Sequence, residues 1–474
     1  MLEKELNVIR KDVKTVHLIA ACGTGMAALA CMLSELGLAV TGSDRNVYPP
    51  MSEFLAQRGI PVAHGFSARN LACCPDLVVV GNAVTSDNPE VAELKRMGLC
   101  YCSMPQAVNH FAAKDKDVLL VCGTHGKTTT SSLLAWMLYV AGLDPSFMIG
   151  GMLKNFNCNF RLGGGKHIVI EGDEYDTAFF DKRSKFFHYR PEMTILTGVE
   201  FDHADIFADF EAVKAVFDEF LSGLPAESTL FAFDSDPAAV ELVAGKSCNV
   251  VMYGQRRESQ WTLGDVTVNP PESIVDMLKN GRLFGRFSTR LAGRHNMVDA
   301  LAAAAAANAL GVPAEKIGEA LATFGGVKRR QEVRGVKREI TVMDDFAHHP
   351  TAVAETIRGI RPFYPDGRLI AVFEPRSNTS MRNVFQDEYA GAFDHADIIC
   401  VSEPPMPEKV PEPIRFSSRQ LADALEAKGK EAYCFPNADA IVDFLKGRAA
   451  PGDLILIMSN GGFDNIHDKL LCAL

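Results

Sequence analysis

The stretch "VLLVCGTHGKTTTSSLLAW", residues 118–136, decides how the rest of the chain is read. An apolar run ends in Gly123-Thr124-His125-Gly126-Lys127-Thr128, and a helix-compatible pattern follows. Strand, tight glycine loop and helix in that order form an anion-binding device, because the loop and first helical turn aim backbone N–H groups at one point. The usual phosphate loop keeps four residues between its glycines, whereas Gly123 and Gly126 are separated by two. Lys127 is placed to reach the β- and γ-phosphates of a nucleotide, and the Thr128 hydroxyl is placed to ligate Mg2+. Thr128-Thr129-Thr130 suits a helix N-terminus better than a helix interior. The plain alternative is a turn followed by a helix that happens to begin with lysine.

Bulk properties narrow the classes around this motif. At 474 residues the chain has the length of about three domains. It is 47% hydrophobic and 23% charged with a formal net charge of −11, a soluble globular composition and a poor one for nucleic-acid or anionic-membrane partners. The leading segment "MLEKELNVIRKDVKT" is charged and lacks an export-type apolar core. The longest apolar runs, 131–143 and 301–312, fall short of the roughly 20 residues of a membrane span. A cytoplasmic location is expected, with the twelve cysteines as free thiols. Cys73-Cys74 and Cys100-x-Cys102 lack metal-site spacing and read as small buried apolar residues.

Strands alternating with helical patterns argue an α/β fold with parallel sheets. The first block carries "VHLIAACGTGMAALACMLSELGLAVTGSD" (16–44), with further strands at "DLVVVGN" and near "LCYCS". The polar stretch 112–117 precedes the second block. It continues through "HIVIEGDE", "MTILTGVEFDHAD", "STLFAFDSD" and "NVVMYG", then through β-hairpins in "SIVDMLKNGRLFGRFSTRLAG" and an alanine-rich helix over 295–310. Gly325-Gly326 and the basic run 328–338 read as a second break. The third block has apolar strands at 339–343, 369–373, 397–401, 431–435 and 453–458, and a Pro-rich surface loop at 404–413. The expected domains are 1–113, 114–327 and 328–474.

Two further places carry candidate chemistry. Gly23-Thr24-Gly25 after an apolar strand, with Ala28 in third place and Asp44 ending the next strand, resembles part of a dinucleotide fingerprint. A dinucleotide, another diphosphate-bearing ligand and a plain tight turn all fit it. Glu171 ends one apolar run, and Asp202-His203-x-Asp205 follows another. At the carboxyl ends of parallel strands such groups suit a divalent ion near phosphates, or, for His203, a structural hydrogen bond.

Taken in order, Gly123–Thr129, Glu171, "DHAD" (202–205), "GRHN" (293–296), Arg329-Arg330 and "DDFAHHP" (344–350) make the chain resemble the Mur ligase family over its whole length. The shortened glycine loop is that family's form. The resemblance implies an N-terminal Rossmann-like UDP-binding domain, a central P-loop ATPase domain with a mostly parallel sheet, and a C-terminal Rossmann-like domain. It implies a carboxylate–amine ligase using ATP and Mg2+, whose partners are small molecules. Gly23, Thr24, Gly25 and Met26 would then lie on the UDP diphosphate, with Ser43, Asp44 and Asn82 nearby. ATP would be met by Gly123, Thr124, Gly126, Lys127, Thr128, Thr129, His295, Asn296, Arg330 and Asp345. Metal ligands would be Thr128, Glu171 and His203, and the catalytic set Lys127, His203 and Arg330. The segments 42–52, 81–89, 174–191, 201–207, 373–380 and 458–471 resemble the branch that joins UDP-N-acetylmuramate to L-alanyl-γ-D-glutamyl-meso-diaminopimelate, the murein tripeptide, rather than to L-alanine. Arg376, Ser377 and Asn378 would meet that peptide. A monomer or weak homodimer is expected. Two positions depart from the family pattern: Asp299 stands where a second Asn is usual, and Lys214 is out of register for a metal-bridging carbamate.

Overall fold

The computed structural model describes residues 2–47 and 51–474, so Tyr48, Pro49 and Pro50 of the 42–52 segment lie outside the described residues. The chain forms two compact units, Met1–Val199 with Lys214–Ser259 and Ala302–Ala320, and Glu200–Val213 with Gln260–Leu301 and Leu321–Leu474.

The first unit holds two large sheets and a two-stranded antiparallel ribbon, Asp176–Ala178 with Asp181–Ser184. One large sheet is wholly parallel, in the order Val62–His64, Ala39–Asp44, Thr15–Ile19, Leu77–Val80, Tyr101–Ser103. Leu77–Val80 is buried at every position, as a strand covered on both faces must be. Strand order reverses on either side of Thr15–Ile19, so the turn after it, the end of Ala39–Asp44 and residues 81–82 share the carboxyl edge where α/β sheets bind ligands. The other sheet runs Asn249–Gly254, Thr229–Phe233, Met193–Leu196, Asp117–Cys122, His167–Glu171, Ser146–Leu153, Cys158–Arg161. All its neighbours are parallel except the last pair, a hairpin that the sequence reading lacked. Asp117–Cys122 lies between strands reached on opposite sides, a second switch point. The helix Lys127–Val140 that follows is buried almost all round, which its apolar residues on every face require.

The second unit contains an antiparallel meander, Trp261–Asn269, Glu272–Lys279 and Arg282–Thr289, of which the sequence reading had the last two strands. Its main sheet runs Glu332–Lys337, Ile340–Asp345, Leu454–Met458, Leu369–Phe373, Ile398–Ser402, Glu431–Phe435. Only the first pair is antiparallel. Two apolar layers cover it, one around Phe373, Tyr389 and Phe393, the other around Val372, Ile441 and Ile457. Glu332–Lys337 corrects the expectation of a break at 328–338. It is an edge strand with Val333 and Val336 48% and 62% exposed, so it has no buried face to print a period-two pattern. The alanine-rich helix spans Arg294–Ala309, with Ala300–Ala307 fully buried. The loop 404–413 is polar and mostly exposed, with two short 3-10 turns.

All twelve cysteines are free. Cys100 and Cys102 are buried as expected, but Cys73 and Cys74 are exposed, because they sit in a peripheral turn before Leu77–Val80 rather than on a strand.

Asp453, 3% exposed, ties the starts of two central strands together. It accepts from Arg368 Nε at 3.0 Å and Nη2 at 2.6 Å, and from Ala450 N at 2.8 Å. Burial alone would raise its carboxyl, but the bonds from Arg368 and the backbone hold it below the ordinary range. A depressed carboxyl contributes stability above its unfolded pKa, near 4, that is lost as pH falls through the folded value. Asp453→Asn is therefore expected to lower the melting temperature at pH 7 and to lose less further stability than the parent between about pH 4 and pH 2, read by thermal melts across pH.

Candidate active site

At the end of Asp117–Cys122 the chain enters the glycine loop. Gly123 has φ of +126°, and a Cβ there would lie 2.4 Å from Thr197 Oγ1 and 2.7 Å from Gly198 O. Only glycine lets this loop close against residues 197–198, where Thr124 N donates to Gly198 O at 2.9 Å. Gly126 caps the helix and offers no side chain to its first-turn amides, the arrangement of an anion cradle.

Lys127 Nζ curls over this loop, donating to Gly123 O at 2.6 Å and Thr124 O at 3.2 Å. It also meets Glu174 at 2.8 and 3.1 Å. Burial alone would lower the ammonium pKa, but Glu174, Asp173 and Glu171 overrule it and raise it, so the cation is secured. Glu174, 3% exposed, is a partner the sequence reading missed, since four acidic residues crowd positions 171–176 and spacing does not select one. Thr128 Oγ1 donates to Glu171 Oε1 at 2.9 Å, and Gly150 N donates to Glu171 Oε2 at 2.8 Å. The expected metal pair is thus adjacent, and hydroxyl and carboxylate oxygens are the hard donors that Mg2+ takes. Thr129 is buried in the same turn.

Around the first sheet, Gly23 and Thr24 are exposed at the start of the helix Thr24–Glu35, Gly25 is half-buried, Met26 is buried, and Asn82 is half-buried on the neighbouring loop. Asp44 anchors the turn, accepting from Cys22 N at 2.8 Å and from Asn46 N at 3.0 Å. Ser43 differs from the expectation of a ligand contact. It is fully buried and donates to Glu90 Oε2 at 2.6 Å. Glu90, also fully buried, further accepts from Asn70 Nδ2 at 2.6 Å and Ser67 N at 3.1 Å, and lies 3.4 Å from His17 Nε2. Burial would raise its carboxyl, yet these donors hold it below the ordinary range. This knot leaves no mark on the sequence, because "PEVAELKRM" reads as an ordinary surface helix.

In the second unit, Asp345 accepts from Gln331 N and Ala347 N, both at 2.8 Å. Burial pushes its carboxyl up, partly offset by Arg330, whose guanidinium stacks 4.9 Å from the Phe346 ring centre. Asn296 Nδ2 donates to Ala292 O at 2.7 Å and to Gln331 Oε1 at 3.4 Å. His295 Nδ1 lies 3.6 Å from Glu355 Oε2; burial lowers its pKa, while Asp299 and Asp345 oppose the fall. His295, Asn296, Asp299, Arg330 and Asp345 are thus brought together. Asp299, in place of the family Asn, sets an acceptor and a charge beside His295.

His203 sits at φ +57°, its N–H donating to Asp202 Oδ1 at 2.7 Å. Asp202 is buried, which would raise its carboxyl, but His203, His348 and His349 hold it far below the ordinary range. The motif 202–205 meets the motif 376–380: Asn378 Nδ2 donates to Asp205 Oδ2 at 2.7 Å and Ala204 N to Thr379 Oγ1 at 3.1 Å. Ser377 Oγ is buried and bonded to Ser380. Asn378 and Ser377, expected at the peptide, therefore have side chains engaged within the protein and shape the loop that carries Arg376. Arg376 lies 3.5 Å from Glu374 and keeps a third of its side chain exposed. Lys214 Nζ pairs with Glu241 Oε2 at 2.9 Å.

Three family models cover nearly the whole chain: "Mur ligase family, catalytic domain" over residues 15–116, "Mur ligase middle domain" over 121–307 and "Mur ligase, glutamate ligase domain" over 329–461. The chain belongs to the Mur ligase family and is a ligase. Among relatives, it is 40% identical to the UDP-N-acetylmuramate–L-alanyl-γ-D-glutamyl-meso-2,6-diaminoheptandioate ligase of Haemophilus influenzae, over 97% of this chain and 98% of that one. It is 32% identical to the UDP-N-acetylmuramate–L-alanine ligase of Acetivibrio thermocellus, over 97% and 96%. The crystal structure of a murein peptide ligase from Psychrobacter arcticus superposes with a TM-score of 0.72 at 34% identity, covering 97% and 98%. Among the described residues no helix is long and apolar enough to cross a membrane.

Proposed function

We propose that this ligase joins the lactyl carboxylate of UDP-N-acetylmuramate to the amine of L-alanyl-γ-D-glutamyl-meso-diaminopimelate. ATP is split to ADP and phosphate in a bacterial cytoplasm, and the released cell-wall peptide re-enters use. A carboxylate is a poor electrophile with a bad leaving group. Its oxygen attacks the γ-phosphorus, ADP departs, and an acyl phosphate results. The neutral amine adds to the acyl carbon, a tetrahedral intermediate forms, and phosphate leaves carrying one former lactyl oxygen while the nitrogen loses a proton. The observation that carries this reading is the glycine loop with Lys127 secured as a cation above it and the Thr128–Glu171 oxygen pair beside it. Two anions must meet in the first step, so their repulsion dominates the cost and cations are needed to offset it.

In this reading Lys127 holds the β- and γ-phosphates, with Gly123, Thr124, Gly126 and Thr129 lining the loop. Arg330 meets phosphate, Asp345 the ribose, and His295 with Asn296 the base side. Mg2+, held by Thr128 and Glu171 and, for a second ion, by His203, would neutralise charge on the transferring phosphoryl. Gly23–Met26 hold the UDP diphosphate, Asp44 fixes their turn and Asn82 adds a contact. Arg376 pairs with a peptide carboxylate, which suits its fork of donors. The domains of this reading are 1–113, 114–327 and 328–474, in a monomer or weak homodimer. The tripeptide is favoured over L-alanine by the 40% against 32% identities of the respective relatives.

Labelling tests the chemistry. UDP-N-acetylmuramate carrying 18O in its lactyl carboxylate is expected to deliver one labelled oxygen to inorganic phosphate per turnover. Unlabelled phosphate at full product yield would contradict the acyl phosphate.

A further inference from the structure

We propose that Arg329 is a positioning residue for the acceptor peptide, acting through the turn at 459–461 on Arg376, so that the adjacent Arg329 and Arg330 serve different substrates. The proposal rests on the reading of Arg376 as the peptide-carboxylate contact.

The parallel strands Leu454–Met458 and Leu369–Phe373 pair with Met458 beside Phe373. The turn Ser459-Asn460-Gly461 and the segment Glu374-Pro375-Arg376 therefore leave neighbouring strand ends. Arg329 Nη2 donates to Ser459 O and to Gly461 O, both at 2.6 Å. Its own position is over-determined. The backbone is left-handed at φ +62°, its N–H donates to Glu332 Oε2 at 2.9 Å, its Nε lies 3.5 Å from Asp344 Oδ2, and its guanidinium lies 5.1 Å from the Phe346 ring centre. A non-glycine residue is held in this backbone region only where its surroundings impose it.

The gripped turn in turn holds Arg376 at two points. Gly461 is the first: a Cβ on it would lie 2.0 Å from both Cδ and Nε of Arg376, so the arginine stem occupies the space that any other residue would fill. Glu374 is the second. Ser459 Oγ donates to Glu374 Oε2 at 2.5 Å, Gly461 N donates to Ser459 Oγ at 2.9 Å, and Glu374 Oε1 faces Arg376 Nη1 at 3.5 Å. Both supports hang from the turn whose two carbonyls Arg329 holds. Arg330 makes neither of those bonds and instead lies beside Asp345 and Phe346. An arginine aimed this way is pre-organised for a bidentate carboxylate, and loosening its support costs ground-state peptide binding before it costs phosphoryl transfer.

The test is a kinetic double-mutant cycle on the full-length enzyme with ATP, Mg2+, UDP-N-acetylmuramate and the tripeptide. Arg329→Met is expected to raise KM for the tripeptide by about 10- to 100-fold, the usual effect of removing an outer-shell support, with KM for ATP and for UDP-N-acetylmuramate within about twofold. Arg329→Lys, which keeps the charge but not the fork, is expected to lie between parent and Arg329→Met. In an Arg376→Met background, Arg329→Met is expected to add nothing to the peptide KM. Gly461→Ala gives an independent route, because it displaces the Arg376 stem while leaving Arg329 in place, and the same peptide KM rises. Arg329→Met adding its full factor on top of Arg376→Met, or raising KM for ATP in a protein that melts like the parent, overturns the inference. So does an unchanged peptide KM in folded Gly461→Ala. Arg376→Met with unchanged peptide KM overturns the peptide reading of Arg376 and the inference with it. An effective Arg376→Met beside a silent Arg329→Met overturns the inference alone.

Discussion

Lys127→Ala stops ADP release while UDP-N-acetylmuramate still binds. The ammonium reaches two loop carbonyls and a buried carboxylate from the first residue of the helix, the position from which it meets phosphates entering the loop. Removing one preorganised charge from a phosphoryl-transfer site costs on the order of 10³-fold in kcat, about 4 kcal/mol of transition-state stabilisation. The same change takes the cation from beside Glu174, and breaking a buried pair on one side costs about 3–5 kcal/mol of stability, so the melting temperature falls as well. Calorimetry with the UDP-sugar on the folded variant separates the two effects. Its turn, at Gly23–Met26, belongs to a different sheet of the first unit, and an affinity within a few fold of the parent is expected. Loss of UDP-sugar binding by a folded Lys127→Ala protein would mean that the two sites are not separate.

Gly123→Ala is expected to be as damaging by a different route. The added methyl meets Thr197 Oγ1 and Gly198 O well inside contact distance, on a backbone that side chains rarely adopt. Left-handed strain of about 1–3 kcal/mol adds to overpacking of about 1–3 kcal/mol. Relief requires residues 197–198 to move, and with them the bond from Thr124 N that fixes the loop. Both the melting temperature and kcat/KM for ATP should drop, the latter by about 100-fold or more, since a displacement of an ångström is enough at such a site. A Gly123→Ala enzyme with parental kcat/KM for ATP would show that the loop tolerates a side chain and that its closure against Thr197 is not what shapes the nucleotide site.

The parts that sequence made legible share one physical cause. Leu77–Val80, Asp117–Cys122, Leu369–Phe373 and Leu454–Met458 are almost wholly buried in parallel sheets, so each reads as an apolar run, and the glycine loop at 123–126 follows the second of them directly. Edge and hairpin strands lack that signature. Glu332–Lys337 is basic and exposed on both faces, Ser146–Leu153 carries a Gly pair, and Trp261–Asn269 is interrupted at Gly264, so none announced itself. At the site, residues whose placement follows from backbone position were readable: Lys127, Thr128, Glu171 and Asp44 stand at strand or helix ends. Partners chosen by tertiary packing were not. Glu174 is one of four acids in six residues, Glu90 hides in a polar-looking helix, and Arg329 grips a turn about 130 residues away. Nor did sequence reveal that the side chains of Ser43, Ser377 and Asn378 are bonded to Glu90, Ser380 and Asp205.

The central claim is that a loop-bound nucleotide drives the joining of a sugar-nucleotide carboxylate to a peptide amine. Its most direct test is ADP release measured with ATP, Mg2+ and UDP-N-acetylmuramate, with either L-alanine or L-alanyl-γ-D-glutamyl-meso-diaminopimelate as acceptor. The expected result is release stoichiometric with UDP-N-acetylmuramyl-tripeptide and none with L-alanine. Release with L-alanine alone would contradict the assigned acceptor, and no release with either would contradict the ligase itself.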